Sequence, residues 1–190
     1  MIDLNLNDPR SGLPLHGQNV DLTALEETDL PALKPFFQDM ASLAYFIPTT
    51  ARPLNAPQIK DLMTDWNDGI ENFVFAIRSG GRLIGMVNID GLDWPNSHAE
   101  IGIALTEPAE RGRGLAAEAL ALLISYAFHE LGLKRIWARV IEDNLPSLRL
   151  FDTMGFQREG VLRQHVRRRG QFRDMIVFGL LNDNEQKPVL

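Results

Sequence analysis

Hydrophobic residues alternate in some stretches of the chain and recur every three to four positions in others, and the change of period marks the elements. In HAEIGIAL, residues 98–105, Ala99, Ile101, Ile103 and Leu105 alternate with His98, Glu100, Gly102 and Ala104. A strand with one apolar face and one polar or small face follows from that period of two. FVFAIR (73–78) and RLIGMVNI (82–89) are β-rich runs separated by Ser79-Gly80-Gly81, a hairpin signal, because glycine supplies the positive φ that a tight turn between twisted strands needs. RIWARV (135–140) predicts a further strand, residues 19–25 a short one, and residues 161–166 and 172–181 a closing hairpin across Arg168-Arg169-Gly170.

Helical spacing appears elsewhere. Residues 28–40 predict a helix interrupted by proline, and residues 55–67 a better one, with Pro57 in its first turn and Gly69 as its stop. After a short loop that begins at Thr106 come some 18 residues of strong helix formers ended by Gly132. Asn144 is placed to cap a short helix that runs through Met154 and stops at Gly155. Residues 1–17 carry Pro9, Gly12, Pro14 and Gly17 without periodicity and read as an arm, and residues 182–190 as a polar tail. No internal repeat or linker interrupts residues 1–190, so a single domain is expected, with mixed α/β order and strands pairing mostly with their neighbours.

Composition narrows the function. With 190 residues, 45% hydrophobic and 23% charged, the chain has ordinary globular usage. Its formal charge of −6 is the wrong sign for a general DNA binder or a peripheral membrane protein, so any anion site must be local. Zero cysteines remove disulfides, thiolate metal sites and thiol nucleophiles, and four scattered histidines form no metal set. The opening MIDLNLNDPRSG has neither a basic nor an apolar leader region, which makes a cytoplasmic setting the expectation.

The densest chemical signal is Arg111-Gly112-Arg113-Gly114-Leu115-Ala116, between the alternating strand and the long helix. Two glycines allow close backbone approach, and the helix start offers unpaired N–H groups and a positive dipole end, so a phosphate is the natural guest. A plain turn flanked by solvated arginines is the bland alternative. No Gly-Lys pair occurs anywhere, which rules out a P-loop. Gly112, Gly114 and Ala117 formally fit a dinucleotide fingerprint, but the preceding strand alternates and the next acids past the following strand, Glu142 and Asp143, lie too far on.

The stretch from Ala99 to Leu181 resembles the GNAT-type N-acetyltransferases, and especially the RimJ/RimL-like branch that acetylates ribosomal-protein N-termini. That family's donor loop reads [QR]-x-x-G-x-[GA], matched in register by Arg111, Gly114 and Ala116. AEIGIAL looks like the family's fourth strand, NLPSLRLFDTMGF its N-x-x-S-x-x-x-[YF]-x-x-x-G-F helix, and EGVLRQ with GQFRDMIVFGLL the branch's final hairpin. The resemblance implies an α/β (α+β) fold: a central, mixed, mostly antiparallel, twisted sheet of about seven strands, splayed between the family's fourth and fifth and flanked by about four helices. It implies acetyl-CoA as co-substrate, no metal, and frequent homodimers.

The resemblance also assigns residues. Backbone groups of Arg111, Gly112, Arg113, Gly114, Leu115 and Ala116 would hold the donor's pyrophosphate, with the two arginines as extra positive charge. Backbone groups of Ile103, Ala104 and Leu105 would meet the pantetheine arm and polarise the thioester. Asn144 matches a pantetheine contact and is equally well explained as a helix cap. Glu100 matches the strand position of a general base, with His98 as the alternative, and a strand-face carboxylate paired with an arginine is the structural counterpart of that reading. Ser147 matches the thiolate partner of the branch. Phe151 stands where many relatives carry an acidic tyrosine, so it reads as core or as a wall against the donor. Arg163, Arg167, Arg168, Arg169 and Arg173 crowd the final hairpin, as a solvated tip or as an attractor for an acidic tail, RNA or a 3′-phosphate. The expected activity is acetyl transfer to a primary amine, either a protein N-terminal α-amine or a small amine. A domain of the same fold that binds acyl-CoA without turnover is the alternative.

Overall fold

The computed structural model describes residues 15–47 and 51–182. The chain runs β1 (Leu15–His16), β2 (Asp21–Ala24), a 3-10 turn, α1 (Leu30–Gln38), α2 (Met40–Phe46), α3 (Ala56–Trp66), β3 (Phe73–Ser79), β4 (Arg82–Asp93) and β5 (His98–Leu105). A second 3-10 turn then leads to α4 (Leu115–His129), β6 (Arg135–Ile141), α5 (Leu145–Thr153), β7 (Gln157–Arg168) and β8 (Gln171–Leu181). One eight-stranded sheet in the order β1-β2-β3-β4-β5-β6-β8-β7 joins all strands, antiparallel except between β5 and β6.

Two differences from the expected seven strands and four helices have local causes. Leu15 and His16, inside the stretch read as an arm, pair with Leu22 and Asp21. The turn between them is held by Glu118 of α4, which accepts hydrogen bonds from the backbone N–H groups of Asn19 (2.7 Å) and Val20 (3.3 Å). The proline-interrupted helix is two helices. Asp39 takes an extended conformation, and its carboxylate accepts from the N–H groups of Ala41 and Ser42, so the chain restarts as α2. The long helix has 15 residues, starting after the left-handed N-cap Gly114 and ending at His129, short of the expected stop at Gly132. The final hairpin is longer than predicted and turns across Arg169 and Gly170. The expected tail falls largely outside the described residues.

Helices cover both faces of the sheet. The alternating apolar positions of β5, Ala99 and Ile101, pack with Leu120, Leu123 and Ile124 of α4 and with Phe151 of α5 and Phe178 of β8. On the opposite face Leu33, Phe37, Leu43, Ile59 and Met63 of α1 to α3 pack on Val74, Ala76 and Met86. β3 and β4 therefore bury most of both faces, whereas β5 buries Ala99 and Ile101 and turns its half-buried polar face toward the α1–α3 layer. Among the described residues no helix is long and apolar enough to cross a membrane.

Candidate active site

The sheet opens at its centre. β5 and β6 pair only over His98–Glu100 and Arg135–Trp137, after which β6 stays with β8 while β5 stays with β4 as far as Leu105. The edge of β5 from Ile101 to Leu105 therefore faces a wedge with no partner strand, and its backbone groups on that side, short of the Leu105 carbonyl, are available to a ligand. Thr106 and Glu107 both donate to the carbonyl of Ile84, which turns the chain off the sheet at the end of β5.

A cleft of about 1150 Å³ runs through this opening. Its donor-side wall is the start of α4 and the start of α5. Gly112 (φ +74°) and Gly114 (φ +81°) adopt left-handed conformations, and a Cβ on either would meet nothing within 4 Å, so the backbone here is exposed to open space. That combination fits an anion cradle, since Gly114 leaves the first N–H groups of a 15-residue helix facing the cleft. Arg111 lines the cleft and donates from Nε and Nη2 to the carbonyl of Leu105 (3.4 and 3.1 Å), tying the loop to the end of β5.

Of the residues singled out in the sequence, Glu100, Ile103, Ala104, Leu105, Arg111, Gly112, Gly114, Leu115, Ala116, Asn144, Ser147 and Phe151 all line this cleft. Arg113 is a correction. It was expected to add positive charge to the anion, but its guanidinium is turned to the buried carboxylate of Glu110, which also binds Arg82 at 2.5 Å. A carboxylate that is buried needs charged partners, and Glu110 takes Arg113 as one of them. His98 is also displaced from the role considered for it. It sits at the far end of β5 with Asp93 at 3.7 Å and does not line the cleft.

Glu100 projects from the polar face of β5, and both its oxygens accept from Arg139 of β6, at 2.9 and 2.6 Å. These hydrogen bonds raise the Arg139 pKa above the ordinary guanidinium value against the opposing effect of burial, and the negative charges of Glu100 and Asp90 add to the rise. The clamp bridges β5 and β6 where they begin to part. Directly across β4 lies Asp90, in register with Glu100, and beside it Asn88 faces Gly102. A Cβ at Gly102 would stand 2.5 Å from the Asn88 Oδ1, so a larger residue there would push that side chain aside.

On the other side of the wedge Asn144 caps α5, accepting from the Ser147 N–H at 3.4 Å. The Ser147 hydroxyl makes no hydrogen bond to another described residue and lines the cleft from the first turn of that helix. Phe151 is 4% exposed, stacked on Phe178 and edge-on to Phe156, so it is a core side chain that forms part of the cleft wall.

The far wall comes from α1, α2, α3 and the final hairpin; the sequence alone joined none of the three helices to the site and offered the hairpin only as a solvated tip or an attractor for an acidic tail, RNA or a 3′-phosphate. Phe36, Phe46 and Trp66 line it. Arg168 donates to the carbonyls of Ala44 (2.5 Å) and Ile47 (2.8 Å), closing the end of α2 onto β7, and burial pushes its pKa below the ordinary guanidinium value. Asp39 lies at the junction of α1 and α2. The Ser42 hydroxyl and the Ala41 and Ser42 N–H groups hold its carboxyl below the usual range. Among the other arginines of the hairpin, Arg173 lies 3.5 Å from Asp143 and Arg167 lies over the ring of Phe172. Among the described residues no group of three or more potential metal ligands occurs.

A central sheet that splits beside a glycine-rich helix start, with helices on both faces, defines a class of acyl-transfer protein. Residues 19–157 match the acetyltransferase (GNAT) domain, and the chain belongs to that family and is an acetyltransferase. Among its relatives, the uncharacterized N-acetyltransferase p20 of Bacillus licheniformis is 31% identical over 172 residues, 88% of this chain and 95% of the relative. The same fold occurs in the spermidine N-acetyltransferase of Vibrio cholerae, solved with CoA and spermine, at a TM-score of 0.79 and 22% identity over 87% of this chain and 96% of that one. It occurs also in RimL, the ribosomal L7/L12 α-N-protein acetyltransferase solved with coenzyme A, at a TM-score of 0.80 and 17% identity over 89% and 97%.

Proposed function

We propose that this protein moves the acetyl group of acetyl-CoA to a primary amine, a protein N-terminal α-amine or a small amine, by direct attack in a ternary complex. The observation that carries the reading is the unpaired edge of β5 opening beside the N-terminus of α4, within one cleft that reaches both faces of the sheet. The helix start and the positive-φ glycines supply donors for the donor's phosphates, and the open edge of β5 at Ile103, Ala104 and Leu105, apart from the Leu105 carbonyl that Arg111 takes, supplies pairing for its arm.

In the transfer the amine lone pair attacks the thioester carbon, the C–S bond breaks with its electron pair leaving on sulfur, and the amine gives up a proton. Glu100 is assigned the proton-accepting role through water. Arg139 occupies two of its lone-pair sites and leaves the other two for that water. The Ser147 hydroxyl, uncommitted among the described residues, is assigned to the thiolate. An α-amine near pKa 8 is about 10% neutral at pH 7, whereas an alkylamine near 10 costs roughly 4 kcal/mol to deprotonate, so the α-amine is the easier acceptor.

Calorimetric titration with acetyl-CoA, with NADH in parallel, followed by thiol release over an amine panel, tests this. Micromolar binding of acetyl-CoA alone and amine-dependent CoA release are expected. Silence toward acetyl-CoA, or a response to NADH, overturns the reading. Binding without release for any amine would instead identify a domain that has kept the donor site and lost turnover, the reading that Phe151 would favour.

A further inference from the structure

The acceptor half of the cleft holds a carboxylate that no role has yet absorbed. Asp90 lies opposite Glu100 on the same face of the sheet, lines the cleft and is half-buried. Both oxygens of Glu100 are held by Arg139, but the Asp90 side chain has no hydrogen bond and no ion pair within 4 Å among the described residues. Two carboxylates directly opposite one another repel, and one arginine offsets one of them. The trio Asp90, Glu100 and Arg139 thus keeps a net charge of −1, centred on Asp90.

The wall beyond is apolar and ordered. Phe36 meets Phe46 edge-on at 5.5 Å, and Phe46 meets Trp66 edge-on at 5.6 Å, a ladder of three rings that lines the same cleft. The other charges of the cleft offer little to a polycation. Asp39 is spent on capping α2, while Arg111 and Arg168 present guanidinium groups fixed on carbonyls.

We propose that Asp90 binds the acceptor's ammonium group and that the acceptor is a monoamine whose neighbouring substituent is apolar, seated on the Phe36, Phe46 and Trp66 ladder. One net negative charge in that trio matches one ammonium, while the other carboxylates that line the cleft, Asp39 and Asp143, are already engaged by the α2 cap and by Arg173. A half-buried carboxylate without a partner becomes satisfied when the ammonium arrives, and the rings remove the apolar substituent from water. The inference rests on the acetyl-transfer reading of this cleft. The chemistry is shared by a free aralkylamine and by a peptide beginning with a hydrophobic residue, and the assay separates the two.

Initial rates with acetyl-CoA would be measured for phenethylamine, Phe-Ala-Ala, Ser-Ala-Ala and spermidine, and phenethylamine binding would be read by calorimetry without turnover. We expect KM for phenethylamine or Phe-Ala-Ala to be at least tenfold below that of the polar peptide and of spermidine. The better of the two apolar probes identifies the source. Asp90→Asn should raise that KM and weaken phenethylamine binding about tenfold while acetyl-CoA affinity stays the same, and Asp90→Glu should recover much of the loss. Asp65→Asn, an exposed carboxylate outside the cleft, should change nothing. Spermidine as the best acceptor, no calorimetric binding of phenethylamine, or an Asp90→Asn variant within twofold of wild type would each overturn the inference. Absence of acetyl-CoA binding would instead overturn the transfer reading, with the phenethylamine titration still deciding the part of Asp90.

Discussion

Gly114→Ala separates a conformational cost from a binding cost. Gly114 holds φ at +81° as the N-cap of α4, and an added Cβ would meet no atom within 4 Å, so the variant carries left-handed strain without a clash. That strain is worth about 1–2 kcal/mol, which for a chain of this size lowers Tm by roughly 2–8 °C. The protein should remain folded at 25 °C. The new methyl group projects into open space at the helix start, where the donor's phosphates are proposed to approach the backbone. Losing one hydrogen bond to a charged oxygen is worth about 1.5–3 kcal/mol, or roughly 10- to 150-fold in affinity. Gly80→Ala is the matched control. Gly80 has φ +56° and equally open surroundings, but it lies in the exposed β3–β4 turn outside the cleft. Both variants should lose similar Tm in calorimetric melts, and only Gly114→Ala should lose acetyl-CoA affinity by isothermal titration. Equal donor affinity in the two variants would refute the assignment of the α4 start as the phosphate cradle.

Four shorter predictions follow the same reasoning. Ser147→Ala should lower kcat about 10²-fold at unchanged KM for both substrates, since the cap on α5 uses the Ser147 backbone and survives; a shift confined to KM would argue against a thiolate role. Arg113→Ala should leave acetyl-CoA affinity within twofold, because the side chain faces Glu110 and not the cleft, and a tenfold loss would restore it to the donor site. Phe151→Ala removes a buried ring packed on Phe156 and Phe178 and should cost roughly 3–5 kcal/mol in urea unfolding. Asp68 accepts from the N–H groups of Ile70, Glu71 and Asn72, which lower its pKa from 3.8 to about 2. A folded value below the unfolded one stabilises above the unfolded pKa and is lost as pH falls through the folded one. Asp68→Asn should therefore melt below wild type at pH 7, and the gap should close between about pH 4 and pH 2; a gap that persists at pH 2 would contradict this.

How far the site could be read along the chain depended on whether its parts lie close in sequence. The donor loop and the caps did, because Gly112, Gly114 and Asn144 act on the residues that immediately follow them. The acceptor wall did not, since it is assembled from α1, α2, α3 and the last hairpin, with Arg168 reaching 124 positions back to Ala44. Asn88 and Asp90 did leave a trace. They are polar residues two apart on one face of an otherwise apolar strand, the period that places both on the sheet surface beside the cleft.

The sequence by itself determined most of the elements, the alternating faces of β5, the backbone freedom at the start of α4 and the cap of α5, because these depend on local periodicity, glycine and short-range hydrogen bonds. Only the tertiary structure decided the pairings of charge. Arg113 turns to Glu110 because that carboxylate is buried and needs partners, Glu100 is clamped by Arg139 because β5 and β6 begin to part at that point, and Asp90 beside them is left with no hydrogen bond or ion pair within 4 Å among the described residues. Which of several arginines meets which of several carboxylates is settled by distance and burial after the chain has folded, and one-dimensional spacing carries neither.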